Sequence, residues 1–181
     1  MATVVLGMTT IGDAFVFLAY RRVADIGFEF FPLLFTGSAV FYLLFAVPLG
    51  RLADRFGRRV VFVAGYGALA LVYVSLLRDL PGPTGMLVVV IGLGAFYAAT
   101  DGVVMAAVSE LLQPATRATG LAVVATGSAI GRAVAAVTFG ALWARHGADW
   151  ALTIFAIAVP VAMVLASRLV SIPRLHGVEG N

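Results

Sequence analysis

The chain has 181 residues, of which 62% are hydrophobic and only 12% are charged, and its mean hydropathy is +1.05. A soluble domain carries about 25% charged residues, so the composition excludes a soluble globular protein and predicts an all-α membrane protein. The net charge of +3 does not indicate nucleic-acid binding, because the arginines are dispersed among the loops. The chain has no cysteine, which excludes disulfides, thiol-bound metals and lipidated cysteines.

Six apolar segments follow one another along the chain, separated by short polar turns. Each is about long enough to cross the roughly 30 Å of bilayer hydrocarbon as a helix. They predict membrane spans at residues 2–20, 30–49, 60–77, 86–108, 118–143 and 150–169. We therefore expect one six-span domain, residues 1–170, followed by a polar cytoplasmic tail, residues 171–181.

Three charged side chains lie well inside these apolar segments, away from their ends. Asp13 lies near the middle of the first span, Asp101 deep in the fourth, and Arg132 far from both ends of the fifth. A charge inside the bilayer costs several kcal/mol, so each of these residues needs a reason to be there. Asp13 and Asp101 either bind a proton or a cationic group, or they are structural and bonded to nearby polar groups. Arg132 either binds an anion or neutralises Asp101.

The depths of Asp101 and Arg132 in the bilayer predict a pair. Asp101 lies fourteen residues before Ala115, near the middle of the loop that joins the fourth and fifth spans, and Arg132 lies seventeen residues after it. In an antiparallel helical hairpin this difference corresponds to only about 4.5 Å along the axis. The two side chains are therefore within reach of each other if they face each other around the helices.

The polar turn at residues 50–59 contains four of the twelve arginines of the chain. A glycine-containing basic turn between two apolar segments is typical of a cytoplasmic loop, because arginine resists translocation. Gly50 and Gly57 are expected to allow a sharp turn and a close approach of helices. Asp54 is expected at a helix N-cap or in a salt bridge.

The distribution of arginine predicts that both termini are cytoplasmic. With the basic turn inside, seven arginines are cytoplasmic and four are external, and Arg132 is within the membrane. This bias follows the positive-inside rule. The cytoplasmic arginines are Arg51, Arg55, Arg58, Arg59, Arg117, Arg168 and Arg174, and the external ones are Arg21, Arg22, Arg78 and Arg145.

The basic turn resembles the G-x-L-x-D-R-x-G-R-R motif of the major facilitator superfamily of secondary transporters. All its defining positions are filled, by Gly50, Leu52, Asp54, Arg55, Gly57, Arg58 and Arg59. The resemblance implies a conformational-switch role for this motif, at the interface between the two six-span halves of such a transporter. It also implies that the first and fourth spans, which carry Asp13 and Asp101, line the substrate path.

The resemblance covers about residues 3–170 and fits the C-terminal half of a transporter. N-terminal halves usually carry an arginine early in the fourth span, and residues 89–99 have none. Thr100-Asp101-Gly102, followed by Pro114-x-x-Arg117-x-x-Gly120-Leu121, is similar to the pattern around the tenth span of many bacterial members. The chain is then a fragment, a partner of a separate N-terminal half, or a unit that pairs with a second copy.

An internal repeat fits the same interpretation. Gly50-x-Leu52-x-x-Arg55-x-Gly57 recurs with the same spacing as Gly140-x-Leu142-x-x-Arg145-x-Gly147. Each copy follows the second helix of a three-helix group, and the two turns face opposite sides of the membrane. This is the pattern that an inverted 3+3 repeat produces.

The sequence thus predicts a secondary active transporter of a small solute in the cell membrane, and not an enzyme. Protons are the expected coupling ion, because both candidate acidic groups are carboxylates in apolar surroundings. No Walker motif indicates use of ATP, and two isolated histidines predict no metal site. We expect no cofactor; the expected partners are the lipid bilayer, a small-molecule substrate, and the missing half or a second copy. The alternative is a six-span remnant that serves as a scaffold or dimerisation partner without transporting.

Overall fold

A computed structural model describes residues 7–169, and no strand occurs within them. The helices are α1 Asp13–Ala24, α2 Phe31–Phe56, α3 Arg58–Leu77, α4 Gly82–Tyr97, α5 Val103–Leu111, α6 Arg117–His146 and α7 Ala148–Leu169. A 3₁₀ turn at Phe28–Phe30 precedes α2, and a π-helical segment at Ala98–Gly102 joins α4 to α5 without a break.

Four helical segments are long and apolar enough to cross a membrane. They are Phe28–Phe56, Arg58–Leu77, Gly82–Glu110 and Arg117–His146, and they correspond to the predicted second to fifth spans. The apolar helix α7 overlaps the predicted sixth span. Part of the predicted first span, residues 2–6, and the whole predicted tail, residues 171–181, lie outside the described residues.

The prediction of an uninterrupted first span is wrong. The backbone leaves the helical conformation before Gly12, which is extended (φ −62°, ψ 144°), and α1 begins only at Asp13. The buried hydroxyl of Tyr73 on α3 compensates for the break: it accepts a hydrogen bond from the Ile11 N–H (2.8 Å) and donates one to the Thr9 carbonyl (3.4 Å). Broken backbone is tolerated inside a membrane protein only where its polar groups find such partners. Asp13 is therefore the first residue of a helix and does not lie in the middle of one.

The basic motif is mostly helical, which corrects its predicted conformation. α2 continues to Phe56 and α3 begins at Arg58, because arginine, leucine and alanine favour a helix and do not end one. Only Gly57 forms the turn, at φ +93°, and its N–H bonds to the carbonyl of residue 53 at 2.9 Å. Asp54 lies within the last turns of α2 and is not an N-cap. Gly50 is helical and has no heavy atom near the position of a Cβ, so neither a turn nor a close helix approach requires glycine there.

The second copy of the sequence repeat has the same local geometry as the first. α6 ends at His146, Gly147 has φ +87°, and its N–H bonds to the Trp143 carbonyl at 2.9 Å. Gly57 follows the C-terminal end of α2. Asp149, close to Gly147, instead pairs with Arg22, which precedes α2, so the two turns lie at opposite ends of this helix. In each case a positive φ, which glycine adopts without strain, reverses the chain between two long helices.

The core of the bundle forms around α3, which packs against α1, α2, α4 and α7. Its largest fully buried side chains include Phe17, Tyr73 and Phe139. In their most apolar stretches only 11% of the residues of α2 and of α6 are buried, compared with 44% in α3. α2 and α6 therefore present broad apolar surfaces that the described part of the chain does not cover.

Candidate functional site

The first part of the site is a hydrogen bond between α1 and α4. The hydroxyl of Tyr97, the last residue of α4, donates to Oδ1 of Asp13 at 2.5 Å. The break before α1 places Asp13 at this position, because it ends the preceding turn and starts a new helix there. No sequence signal identifies Tyr97 as the partner of Asp13, because the two residues lie 84 positions apart.

The second part is the ion pair between Asp101 and Arg132. Nη1 of Arg132 on α6 lies 3.1 Å from Oδ2 and 3.3 Å from Oδ1 of Asp101. The contact predicted from equal depth on two antiparallel helices is thus confirmed. The side chains remain 44% (Asp101) and 34% (Arg132) exposed, so the pair is partly open.

The π-helical segment Ala98–Gly102 positions Asp101. It inserts one wider turn into an otherwise α-helical span, and such turns occur frequently at functional sites. The hydroxyl of Thr100 donates a hydrogen bond to the Phe96 carbonyl at 2.7 Å. This bond gives the carbonyl a partner where the π turn changes the regular backbone hydrogen bonding of the helix. Gly65 on α3 lets this segment approach closely, since a Cβ at residue 65 would lie 2.7 Å from Cβ of Ala99.

A cavity of about 350 Å³ brings the parts of the site together. It lies between α1, α2 and the junction of α4 with the π-helical segment, so that both Asp13 and Asp101 line it. Arg132 pairs with Asp101 but does not itself line this cavity. The other lining side chains are Phe35, Ser38, Ala39, Tyr42 and Tyr97.

A second, much smaller cavity of about 30 Å³ also has Asp101 in its lining. The lining further includes Thr10, Tyr66, Thr100 and Arg132, and the volume suits about one water molecule. Asp101 is thus shared by the two cavities, which adjoin at this residue.

The basic motif forms an ion pair that the sequence did not predict. Nη2 of Arg58 lies 2.6 Å from both carboxylate oxygens of Glu110, near the end of α5. This pair links the start of α3 to the end of the fourth span at one end of the bundle. Glu110 lies outside the predicted fourth span, residues 86–108, and no sequence pattern connects it to Arg58, 52 positions earlier.

The other motif residues lie at the surface of the described chain. Arg55, Arg59 and Asp54 are exposed, and the Arg55 guanidinium lies 5.3 Å from the ring centroid of Phe56. No ion pair joins Asp54 to Arg58 or to another of residues 7–169. Arg58 pairs with Glu110 instead, so the salt bridge expected for Asp54 does not form within this part of the chain.

The opposite end of the bundle has its own ion pair, between Arg22 at the end of α1 and Asp149 at the start of α7. Both side chains are exposed. Beside it, the Arg21 guanidinium lies 3.8 Å from the ring centroid of Phe28, which fixes the loop between α1 and α2.

Within residues 7–169 no cluster of three or more His, Cys, Asp or Glu side chains is arranged to hold a metal ion.

Long apolar helices with three charged side chains gathered between them define a multi-pass membrane protein with a polar interior site. The chain belongs to the Major Facilitator Superfamily, because the model of that family matches residues 2–179. Members of this superfamily are membrane transporters, so the family resemblance found in the sequence is confirmed, together with the general expectation of a transporter of small molecules. Comparison with curated proteins and with solved structures gives no match.

Proposed function

We propose that the chain is the C-terminal six-span half of a secondary active transporter that couples movement of a small solute to protons. The observation that carries this proposal is the cavity lined by Asp13 and Asp101. Asp101 is neutralised by Arg132, whereas Asp13 bonds to the neutral hydroxyl of Tyr97. A carboxylate in a membrane bundle that forms no ion pair is a candidate for exchanging a proton or binding a cation.

Infrared difference spectroscopy tests the proton-exchanging group directly. The purified chain in liposomes should show protonated-carboxyl bands that appear as the pH is lowered, and Asp13→Asn should remove the one that belongs to Asp13. Asp25→Asn is the matched control: Asp25 is an exposed loop residue with φ +50°, a conformation that asparagine tolerates. A spectrum unchanged by Asp13→Asn would contradict proton exchange at this site and favour the non-transporting scaffold.

A six-span half needs a partner, and the exposed faces of α2 and α6 support one. These are the second and fifth spans of the proposed arrangement, and they are the least covered of the long helices. We infer that they contact the missing N-terminal half or a second copy of the chain. The Gly57 and Gly147 turns support an inverted 3+3 repeat, because they share one conformation and lie at opposite ends.

The proposed topology places both termini in the cytoplasm of a cell-membrane protein, and cysteine labelling tests it. Phe56 and His146 directly precede the two turn glycines and are exposed, whereas their neighbours Ala53 and Ala148 are buried. The chain has no cysteine, so each introduced thiol is unique. With an impermeant maleimide on intact cells, we expect His146→Cys to react and Phe56→Cys to react only after the cells are opened. Labelling of both from the same side would contradict the topology.

The motif at the end of α2 is proposed to control the switch between inward-open and outward-open states. Asp54 is exposed, so Asp54→Asn should change the free energy of unfolding of the chain by no more than about 0.5 kcal/mol. In the complete transporter we expect slower uptake by proteoliposomes at an unchanged protein level. Asp79→Asn, an exposed residue at the opposite end with φ +48°, should leave the rate unchanged. Equal rates for the two variants would reduce the motif to a topology signal.

A further inference from the structure

The cavity between α1, α2 and α4 has the charge of a cation site. Two carboxylates line it, those of Asp13 and Asp101, and one guanidinium, that of Arg132, pairs with Asp101 at 3.1 Å. Within residues 7–169 no cationic side chain forms an ion pair with Asp13. One negative charge is therefore left over. The single arginine is already engaged by Asp101, which disfavours an anionic ligand.

The side chains that line the cavity favour an organic cation over a metal ion as its ligand. Phe35, Tyr42 and Tyr97 supply aromatic rings, and Phe35 is fixed edge-on against Phe17 with ring centroids 4.7 Å apart. Aromatic faces attract organic ammonium groups through cation–π interactions. Divalent metal ions instead require several oxygen ligands, and no such cluster occurs in the described part of the chain. A volume of about 350 Å³ is at the lower end of the range for small-molecule pockets.

We propose that this cavity binds a small monovalent organic cation, with Asp13 as the counter-ion and Tyr42 and Tyr97 as aromatic walls. This inference rests on the proposed transport function and names its substrate class. The cation and a proton compete for the same carboxylate, which couples uptake of one to release of the other.

Equilibrium dialysis of the purified full chain in neutral detergent tests the proposal. Phenyltrimethylammonium is the probe, and benzenesulfonate is a control of similar shape and opposite charge. We expect saturable 1:1 binding of the cation and none of the anion. Asp13→Asn should weaken binding by about 30-fold, because it removes the carboxylate that pairs with the cation.

Further variants keep the test decisive. Asp13→Glu retains the charge and should restore most of the binding, and Tyr42→Leu should weaken binding by removing one aromatic wall. Asp25→Asn removes the same charge at an exposed loop position and should bind as the unmodified chain does. Size-exclusion elution shows whether each variant is folded.

The outcomes separate this inference from the function on which it rests. No saturable cation binding, equal binding of benzenesulfonate, or wild-type affinity in Asp13→Asn would overturn the cation site. If the pH-dependent carboxyl band of Asp13 persists in that case, proton coupling stands and only the substrate class is wrong. If the cation binds but the band is absent, the cation site stands and proton coupling is wrong.

Discussion

Replacing either member of the Asp101–Arg132 pair by a neutral residue is expected to destabilise the folded chain by about 2 kcal/mol. Either change leaves the other charge without its partner, which lies 3.1 Å away in the native protein. Breaking a buried ion pair costs about 3–5 kcal/mol, whereas an exposed pair is worth about 1 kcal/mol or less. An intermediate value applies because the two side chains are 44% and 34% exposed. The level of Asp101→Asn or Arg132→Gln in the membrane should fall accordingly.

The double variant Asp101→Asn, Arg132→Gln should recover much of the lost level, because neither charge then lacks a partner. The Arg22–Asp149 pair is the matched control, since its side chains are exposed and a surface pair is worth about 1 kcal/mol or less. Arg22→Gln should therefore change the level little. If Asp101→Asn leaves the level intact and abolishes only proton-coupled uptake, Asp101 is a protonation site that does not depend on Arg132.

The depth of this pair could be predicted from sequence, but its surroundings could not. Counting from Ala115 predicts how far along each helix Asp101 and Arg132 lie, because the rise per residue of a helix is constant. It does not predict which way each side chain points around its helix. The π-helical segment Ala98–Gly102 sets that direction for Asp101, and no residue pattern in it distinguishes a π turn from an α turn.

The broken first helix was missed for a related reason. Residues 2–20 are apolar enough to form a continuous span, and hydropathy does not reveal a break whose polar groups find partners elsewhere. The partner here is Tyr73, 62 residues from Ile11 in sequence. The position of Asp13 at a helix start depends on that distant contact, and so does its bond to Tyr97.

The long helices and their order were predictable, because apolar length and turn residues are local signals. The predicted second to fifth spans are candidate membrane spans. The predicted helix boundary is less accurate at the basic motif, because α2 continues seven residues beyond the expected end at residue 49. The charged residues indicate where the apolar part of the helix ends, whereas the helix itself ends only at Gly57.

The close approach of α2 and α4 makes Gly94 a second position with a large expected effect. A Cβ at Gly94 would lie 2.6 Å from Cβ of Phe41 and 2.8 Å from the backbone N of Tyr42. Backbone atoms cannot rotate away from such a clash, so the two helices must separate. Overpacking of this kind costs about 1–3 kcal/mol, and we expect Gly94→Ala to lower the thermal midpoint of the chain in detergent accordingly.

Gly67 on α3 provides the matched control for Gly94. It is also a glycine within a long helix, but no neighbouring atom lies within 4 Å of the position of its Cβ. Gly67→Ala should leave stability unchanged or raise it by up to about 1 kcal/mol, because alanine favours a helix. Equal midpoints for the two variants would show that α2 and α4 are not in close contact. If Gly94→Ala is destabilised and Gly67→Ala is not, Gly94→Ala should also weaken the binding of phenyltrimethylammonium. Tyr42 on α2 and Tyr97 on α4 line the same cavity, and separation of the two helices moves them apart.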